Sequence, residues 1–538
     1  MLQPLFVRNL RKKHFASCFW IGGTMNHISD LEYLKLPKWR RALIKIAQFF
    51  ISIPKAFLNL FVKIGRFFKK MGLAVGREIK DIILTFKNGD WKTRISYVIM
   101  GFGNITRGQI LRGLLFLLFE GVFLFFMFKP TGGLYWMSML PSLGKEGPGK
   151  AYDPIFDTYV TTYNDNSFQI LLYGVLTIFF IIAFIVTWRM NVKQNKLAQQ
   201  ILDSGKPLKS GKDDLRSMVD DNFHKTLLAL PLTGIIVFTV MPIVFMILVA
   251  FTNYDGTHDG YSNALFTWVG LENFNTMLGI GGSGSKVYAA TFGEILLWTL
   301  VWAFFATFTN YFLGMLVAMM INKKGIQFKK GWRTILVMTI AIPQFISLLY
   351  VSKMFAQNGM VNQFLQSIGV LKGLDYIPFL EEATHARISV ILINIWIGIP
   401  YLMLIATGIL MNIPQDLYES AKIDGASGWK QYTKITLPYM LFITAPYLLT
   451  SFTSNMNNFN VIYLLTGGGP TNAAASTAAG SAGFTDLLIT WLFMITTGAE
   501  SQYYFASVIG LLVFIVVAAI SLIVYNLLPS VKNEEDFQ

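Results

Sequence analysis

The segment YESAKIDGASGWKQYTKITLP, residues 418–438, lies between two long apolar runs in a chain that is otherwise mostly hydrophobic. Pro414 suits the first turn of a helix, and the residues after it are good helix formers. Gly425 is suited to the left-handed conformation that ends a helix, and Ser427 is suited to cap a second helix that stops at Pro438. The segment therefore predicts two short helices joined by a sharp turn.

The charges of this segment allow two interpretations. Asp416, Glu419 and Asp424 would offer carboxylates to Arg or Lys side chains of a partner protein, while Leu417 and Ala421 supply apolar contacts. The alternative is a polar loop that is exposed to solvent. Composition alone does not separate the two.

The composition of the whole chain is that of a membrane protein. Of its 538 residues, 54% are hydrophobic and 14% are charged, and the mean hydropathy is +0.50. These values exclude an ordinary soluble domain. Cys18 is the one cysteine, which excludes an intramolecular disulfide and a cysteine-based metal cluster.

Eight apolar segments are long enough to cross a bilayer. They are residues 110–128, 168–188, 227–251, 289–321, 334–356, 387–411, 439–465 and 503–528. Each must be a helix, because an open strand in lipid would leave backbone groups unpaired. The predicted fold class is therefore an all-α polytopic membrane protein with about eight transmembrane helices. A shorter apolar run, 484–496, predicts a helix on the outer surface.

Lysine and arginine residues predict the orientation. The connections at 189–226 and 322–333 are rich in them, whereas three other connections contain at most one, namely 252–288, 357–386 and 466–502. Because positively charged loops stay on the cytoplasmic side, both termini and the loop 412–438 are predicted to be cytoplasmic.

The basic charge is concentrated before the first span. Residues 1–112 contain 21 Lys and Arg against 5 acids, while the whole chain has a net charge of +15. Within 40–70, polar and basic residues recur every three or four positions, the pattern of a helix that lies in the membrane interface. A ninth span is the alternative for this segment. A nucleic-acid partner is disfavoured, because the charges lie among aliphatic and aromatic residues.

Two spans carry stripes of uncharged polar residues. The sixth span has Asn394, Ile397, Gly398 and Tyr401, and the seventh has Ser451, Ser454, Asn455 and Asn458. Within each set the residues are spaced i, i+3, i+4, i+7, so they lie on one helix face. Such residues usually face a bundle interior or a cavity. Amides and hydroxyls suit a neutral, hydroxyl-rich solute, and an aromatic ring can stack on a sugar. The alternative is that they join helices by hydrogen bonds.

One acidic residue, Glu120, lies deep in the first span. It either relays protons or is satisfied by a neighbouring helix, and the second role is favoured because the residue is isolated.

The spacing of Glu419, Ala421, Gly425, Ile435, Leu437 and Pro438 resembles the EAA signature of the permeases of binding-protein-dependent ABC importers, with Ser420 as the one departure. Five segments resemble the larger permease subunit of maltose and maltodextrin importers: NIWIGIPY at 394–401, NIPQDLYESAKIDGA at 412–426, SFTSNMNNF at 451–459, LTGGGP at 465–470 and TDLL at 485–488. The resemblance covers about residues 230–530. Ser454 stands where that subunit has a bulky aromatic residue, and the first hundred residues have no counterpart.

The resemblance implies a type I ABC importer permease fold. The loop 412–438 would be the coupling helix that docks on an ATPase subunit, through the signature residues and Asp424, and the two polar stripes would line a sugar path. The implied partners are a second, smaller permease subunit, two copies of an ATPase subunit and an extracytoplasmic sugar-binding protein or lipoprotein, in a bacterial plasma membrane. ATP and Mg would be used by the ATPase, and no cofactor is expected on this chain.

The charge distribution, the apolar segments and the resemblance together divide the chain into parts. The expected parts are a basic N-terminal segment (1–109), two spans with a cytoplasmic linker (110–226), the importer transmembrane domain (227–530) and a cytoplasmic tail (531–538).

An enzymatic function is disfavoured by the motifs. The segment GKEGPGK, residues 144–150, matches seven positions of a P-loop but continues with Ala151 and contains Pro148. The 5 His form no pattern of metal ligands, and no catalytic triad is evident. The alternatives to a maltodextrin permease are a permease for another neutral sugar or a polyol, and a secondary transporter, which would need a charged pair at the midplane and inverted repeats.

Overall fold

The computed structural model of the chain describes residues 17–21, 24–28, 37–145, 149–162, 165–208, 211–259, 265–323, 325–472, 482–498 and 501–527. The chain divides into two compact units, residues 1–78 with 519–538, and residues 79–518. The smaller unit contains an antiparallel hairpin of β1 (Ser17–Ile21) and β2 (Thr24–Ile28), in which Ser17 pairs with Ile28. It also contains most of a long helix, α1 (Lys38–Asn88).

The larger unit is predominantly helical. Its helices before the fourth span are α2 (Trp91–Ile95), α3 (Phe102–Ile105), α4 (Ile110–Phe128), α5 (Gly133–Met139), α6 (Ser167–Asp203), α7 (Gly211–Val219), α8 (Phe223–Ile235), α9 (Met241–Val249) and α10 (Glu272–Met277). The remaining helices are α11 (Ser283–Asn322), α12 (Lys329–Ala341), α13 (Gln344–Met354), α14 (Met360–Ser367), α15 (Ala383–Met411), α16 (Gln415–Ile423), α17 (Gly428–Gln431), α18 (Leu437–Met456), α19 (Phe459–Thr466), α20 (Leu488–Thr497) and α21 (Tyr503–Leu527). A second antiparallel hairpin joins β3 (Gly149–Asp153) to β4 (Thr158–Thr162).

Among the described residues, seven helical stretches are long and apolar enough to cross a membrane. They are α4, α6, Phe223–Val249, α11, α15, Gly428–Thr466 and α21, and the bent pair of α12 and α13 makes an eighth if it forms one span. The prediction of an all-α polytopic membrane protein with about eight transmembrane helices is confirmed.

The fifth predicted span is not a single helix. The sequence predicts a continuous helix over 334–356, but α12 and α13 meet at an angle of 88°. Pro343 explains the bend, because proline donates no backbone hydrogen bond and disfavours a helical conformation in the residue before it. Ile342 is accordingly extended, with ψ at 126°.

The prediction that the second short helix stops at Pro438 is wrong. Helix α17 continues through a π-helical turn, Tyr432–Thr436, directly into α18. The Leu437 N–H bonds to the carbonyl of Tyr432, five residues back, and this wider turn accommodates the proline without a break. The same device, a π turn at Ile236–Val240, precedes Pro242 in the third span.

Helix α11 is the centre of the fold. It contributes to three of the four buried apolar clusters among the described residues, with α20 and α21, with α13, α15 and α19, and with α15 and α18. Leu488, Trp491 and Ile495 of α20 are buried in the first cluster. Helix α20 covers most of the segment 484–496, for which the sequence predicts an outer-surface helix, and its apolar side chains pack on the bundle. Its place at the outer surface stays a prediction.

Candidate transport path and coupling segment

The turn at Gly425 has the predicted geometry. Helix α16 follows Pro414, and Gly425 has φ at 70°. The Gly425 N–H donates to the Lys422 carbonyl at 3.0 Å and the Ala426 N–H to the Ala421 carbonyl at 2.8 Å, the two bonds of a Schellman motif. Ser427 then caps α17 by accepting a hydrogen bond from the Lys430 N–H. Residues 415–431 therefore form two short helices about a left-handed glycine; we call this the coupling segment.

The coupling segment exposes both apolar and acidic side chains. Ile423 is 87% exposed and Trp429 is 74% exposed, and the carboxylates of Glu419 and Asp424 are also exposed. Large apolar side chains beside charged ones are typical of a protein docking surface. This arrangement favours a docking role over that of a solvated polar loop.

The remaining signature residues connect the coupling segment to the membrane. Ala421 and Ile435 are half-buried and Pro438 is exposed, while Leu437 packs against the cluster shared by α11, α15 and α18. The hydroxyls of Tyr418 and Thr436 share a hydrogen bond of 2.9 Å, which joins α16 to the π turn below α18. This hydrogen bond and the continuous helix connect α16 to the seventh span.

The polar stripe of the sixth span lies on one face of α15, as predicted, and part of it faces α11. Asn394 is 6% exposed, and its Nδ2 has no hydrogen-bond partner among the described residues. Ile397 and Gly398 are half-buried, whereas Tyr401 is 52% exposed. A Cβ at Gly398 would lie 2.4 Å from Nδ2 of Asn310 on α11, so only glycine allows the two helices to approach this closely.

The stripe of the seventh span is not one helix face. Helix α18 ends at Met456, and Asn458 is the N-terminal cap of α19, accepting a hydrogen bond from the Val461 N–H. Asparagine side chains compete for backbone hydrogen bonds and so favour caps over helix interiors. Ser451 is half-buried and Ser454 is exposed.

Asn455 links the seventh span to α11. Its Nδ2 donates to Oγ1 of Thr307 at 3.0 Å, and the indole N–H of Trp302 donates to its carbonyl at 3.1 Å. The Nδ2 of Asn458 donates to Oδ1 of Asn455 at 3.3 Å. Asn455 thus joins helices, the role that the sequence left as the alternative to lining a path.

Asn310 is a polar residue that the sequence analysis missed. It is 5% exposed, and its Oδ1 has no partner among the described residues. The signal was present, because Thr307, Asn310, Tyr311 and Gly314 on α11 have the same i, i+3, i+4, i+7 spacing as the two predicted stripes. On α11, Thr307 contacts Asn455 of the seventh span and Asn310 lies against Gly398 of the sixth. Asn394 lies one turn before Gly398 on the same face of α15. We call Thr307, Asn310, Asn394 and Asn455 the amide cluster.

Two other sequence features have structural rather than catalytic explanations. Glu120 is buried and accepts a hydrogen bond from the Met100 N–H at 2.7 Å, so a neighbouring segment satisfies it. The P-loop-like segment leads into strand β3, whereas a P-loop leads into a helix. No group of three potential metal ligands occurs among the described residues.

Comparison with known proteins agrees with the signature in the coupling segment. Residues 310–532 match the family described as binding-protein-dependent transport system inner membrane component. The maltodextrin transport system permease protein of Streptococcus pneumoniae is 32% identical to this chain over 455 residues, which are 82% of this chain and 97% of that protein. The chain belongs to this permease family.

A second relative and a solved structure are named for other substrates. The galactooligosaccharides transport system permease protein of Bacillus subtilis is 32% identical over 437 residues, 81% of this chain and 97% of that protein. The crystal structure of a bacterial ABC transporter involved in the import of the acidic polysaccharide alginate matches with a TM-score of 0.45 and 21% identity, covering 58% of this chain and 97% of that one. The family membership confirms the resemblance read from Glu419 to Pro438, and the chain is the permease component of an ABC importer.

Proposed function

We propose that this permease is the larger membrane subunit of an importer for malto-oligosaccharides, located in the plasma membrane of a bacterium with both termini in the cytoplasm. The observation that carries the proposal is the amide cluster, which contains the buried amides of Asn310 and Asn394 and the half-buried amide of Asn455, and no charged side chain. Unpaired amide groups recognise the hydroxyls of a neutral sugar. The nearly full-length similarity to the pneumococcal maltodextrin permease supports the choice of substrate.

The proposed mechanism transmits ATP-driven motion from the coupling segment to the amide cluster. Two copies of a separate ATPase subunit bind and hydrolyse ATP with Mg, and one of them holds the coupling segment. When the ATPase subunits close, α16 moves and pulls α18, because the Tyr418–Thr436 hydrogen bond and the unbroken π turn connect them. Asn455 connects α18 in turn to α11, so the cluster opens alternately to the two sides.

The outer side of the path is supplied by other proteins. A sugar-loaded binding protein or lipoprotein would deliver the substrate to the outer loops, and a second, smaller permease subunit would complete the path. Tyr401 is exposed on the same face of α15 as the buried Asn394, two turns further along, so its ring is available to stack on a sugar that enters from the partner subunit's side.

Substrate competition in cells tests the proposed specificity. Cells that depend on this chain should take up radiolabelled maltotriose, and unlabelled maltodextrins should compete far better than galacto-oligosaccharides, because the geometry of the hydroxyls differs. Cells lacking the chain are the control and should lose the uptake. If only galacto-oligosaccharides compete, the substrate is the one named for the Bacillus relative. If neither sugar competes, both assignments are wrong and the alternative of another neutral sugar or a polyol is left.

A further inference from the structure

Helix α1 has no role in the proposed transport. It contains 51 residues, which corresponds to about 76 Å at 1.5 Å per residue, whereas the hydrocarbon core of a bilayer is about 30 Å thick. It is also not among the described helices that are apolar enough to cross a membrane. The helix must therefore lie somewhere other than across the membrane. Its side chains indicate where, and they are described at residues 62, 63 and 65–88.

The described part of α1 has one basic face and one apolar face. Basic side chains recur at the spacing of a single helix face, at Lys63, Arg66, Lys69, Lys70, Arg77, Lys80 and Lys87. The opposite face carries Phe67, Phe68, Met71, Val75, Ile79, Ile82 and Phe86. The two acids in this stretch, Glu78 and Asp81, leave it strongly positive. Such a pattern is typical of a helix that lies flat on a membrane surface.

The apolar face of α1 has no cover among the described residues. Every residue from 65 to 80 is exposed, and Phe67 and Phe68 are 62% and 57% exposed. A continuous apolar face of this length is unfavourable in water, so in the cell it must contact an apolar phase. The positive face opposite suits a phase with a negatively charged boundary.

The last residues of α1, from Ile79 onward, belong to the larger unit and contact α6 and the segment after α2. Asp81 forms ion pairs with Lys196 and with Arg189, the latter at 2.6 Å, and the hydrogen bond from Lys196 lowers the pKa of Asp81. The hydroxyl of Tyr97 donates to the Ile82 carbonyl at 2.7 Å. Both cations follow directly after the predicted second span, on the side with the positive loops. The last turns of α1 therefore begin at the level of the lipid headgroups.

We propose that α1 binds the surface of a bilayer containing anionic phospholipid. Its phenylalanine, methionine and isoleucine side chains enter the boundary of the acyl chains, and its lysine and arginine side chains bind lipid phosphates. This anchor is independent of sugar binding. The proposal assigns anionic phospholipid as the ligand of a helix that takes no part in the proposed transport path.

Fluorescent labelling of the full-length chain in lipid nanodiscs tests this inference. In a Cys18→Ser background, Phe68→Cys and Lys70→Cys place an environment-sensitive dye on opposite faces of the same turn. In discs of phosphatidylcholine with phosphatidylglycerol, the dye at position 68 should show a blue-shifted emission and a several-fold loss of quenching by aqueous iodide relative to position 70. In pure phosphatidylcholine the difference should shrink, because the attraction between the basic face and the lipid is lost.

Charge removal supplies the matched control. The triple substitution Lys69→Gln, Lys70→Gln and Arg77→Gln removes three charges from the basic face. With the dye at position 68, it should abolish the protection from iodide quenching that anionic lipid gives. Lys145→Gln with Lys286→Gln and Lys372→Gln removes the same charge from exposed positions outside α1 and should leave the effect intact. Equal quenching at positions 68 and 70, or quenching that does not depend on lipid charge, would overturn the proposal and point to a protein cover for this face. Sugar uptake is not part of the readout, so this result does not depend on the proposed transport.

Discussion

Gly425→Pro is expected to abolish coupling while the chain still folds and reaches the membrane. Gly425 has φ at 70°, which proline cannot adopt, and its N–H donates to the Lys422 carbonyl. No atom lies within 4 Å of an added Cβ, so the effect comes from the backbone rather than from a steric clash. Re-orienting α16 should lower both ATPase co-purification and ATP-driven uptake by about tenfold or more, since an ordinary residue already loses 1–2 kcal/mol, or roughly tenfold, in the left-handed region.

Gly428→Pro is a matched control three residues away. Gly428 is the first residue of α17, after Ser427 in an extended conformation with ψ at 158°, and proline is favoured at this position. This variant should couple normally. Glu419→Lys should weaken co-purification without changing the backbone, because it reverses a charge on the docking surface. If the ATPase subunit co-purifies equally well with Gly425→Pro and with the unchanged chain, the coupling segment is not the docking site.

Asn394→Leu is expected to abolish sugar uptake without destabilising the protein. The Nδ2 of Asn394 has no partner among the described residues, and removing a buried unpaired amide is neutral or stabilising. If Asn394 only held helices together, the substitution would lower the melting temperature, and uptake would fall only as far as the amount of assembled protein falls. If it binds sugar hydroxyls, uptake is lost while the melting temperature in detergent stays the same or rises.

Thr307→Val separates the two roles at Asn455. The substitution removes the hydrogen bond from Asn455 to Thr307 but retains the amide, whereas Asn455→Leu removes both. We expect Asn455→Leu to abolish uptake and Thr307→Val to reduce it only partly, with a similar loss of stability in both variants of about 1 kcal/mol. Equal uptake losses in the two variants would assign Asn455 to helix association alone.

The sequence predicted the local geometry of the coupling segment better than it predicted where the spans bend or end. The turn at Gly425 and the cap at Ser427 depend on residues within one or two turns of each other, and both were predicted with their geometry. The prolines show the limit. Pro343 breaks its helix, Pro438 is accommodated by a π turn, and Pro400 lies inside the unbroken helix α15. The three outcomes depend on the neighbouring helices, which re-satisfy the freed backbone groups or fail to do so.

The amide cluster shows a second limit of the sequence. The spacing placed Asn394 and Asn455 on stripes, but it could not show that Asn458 would end one helix and cap the next. Nor did it indicate that Asn310 lies against Gly398, because a contact between distant spans depends on how the helices cross. Residue spacing assigns a helix face, whereas packing decides which partner that face meets.

The central claim, an ATP-driven importer of neutral oligosaccharide, is tested most directly by uptake into proteoliposomes. This chain would be reconstituted with its smaller permease partner, its ATPase subunits and a sugar-loaded binding protein, with ATP on the ATPase side and no ion gradient. We predict that radiolabelled maltotriose accumulates with ATP and does not accumulate when ATP is replaced by a non-hydrolysable analogue. Accumulation driven by a proton or sodium gradient without ATP hydrolysis would contradict the account and identify a secondary transporter.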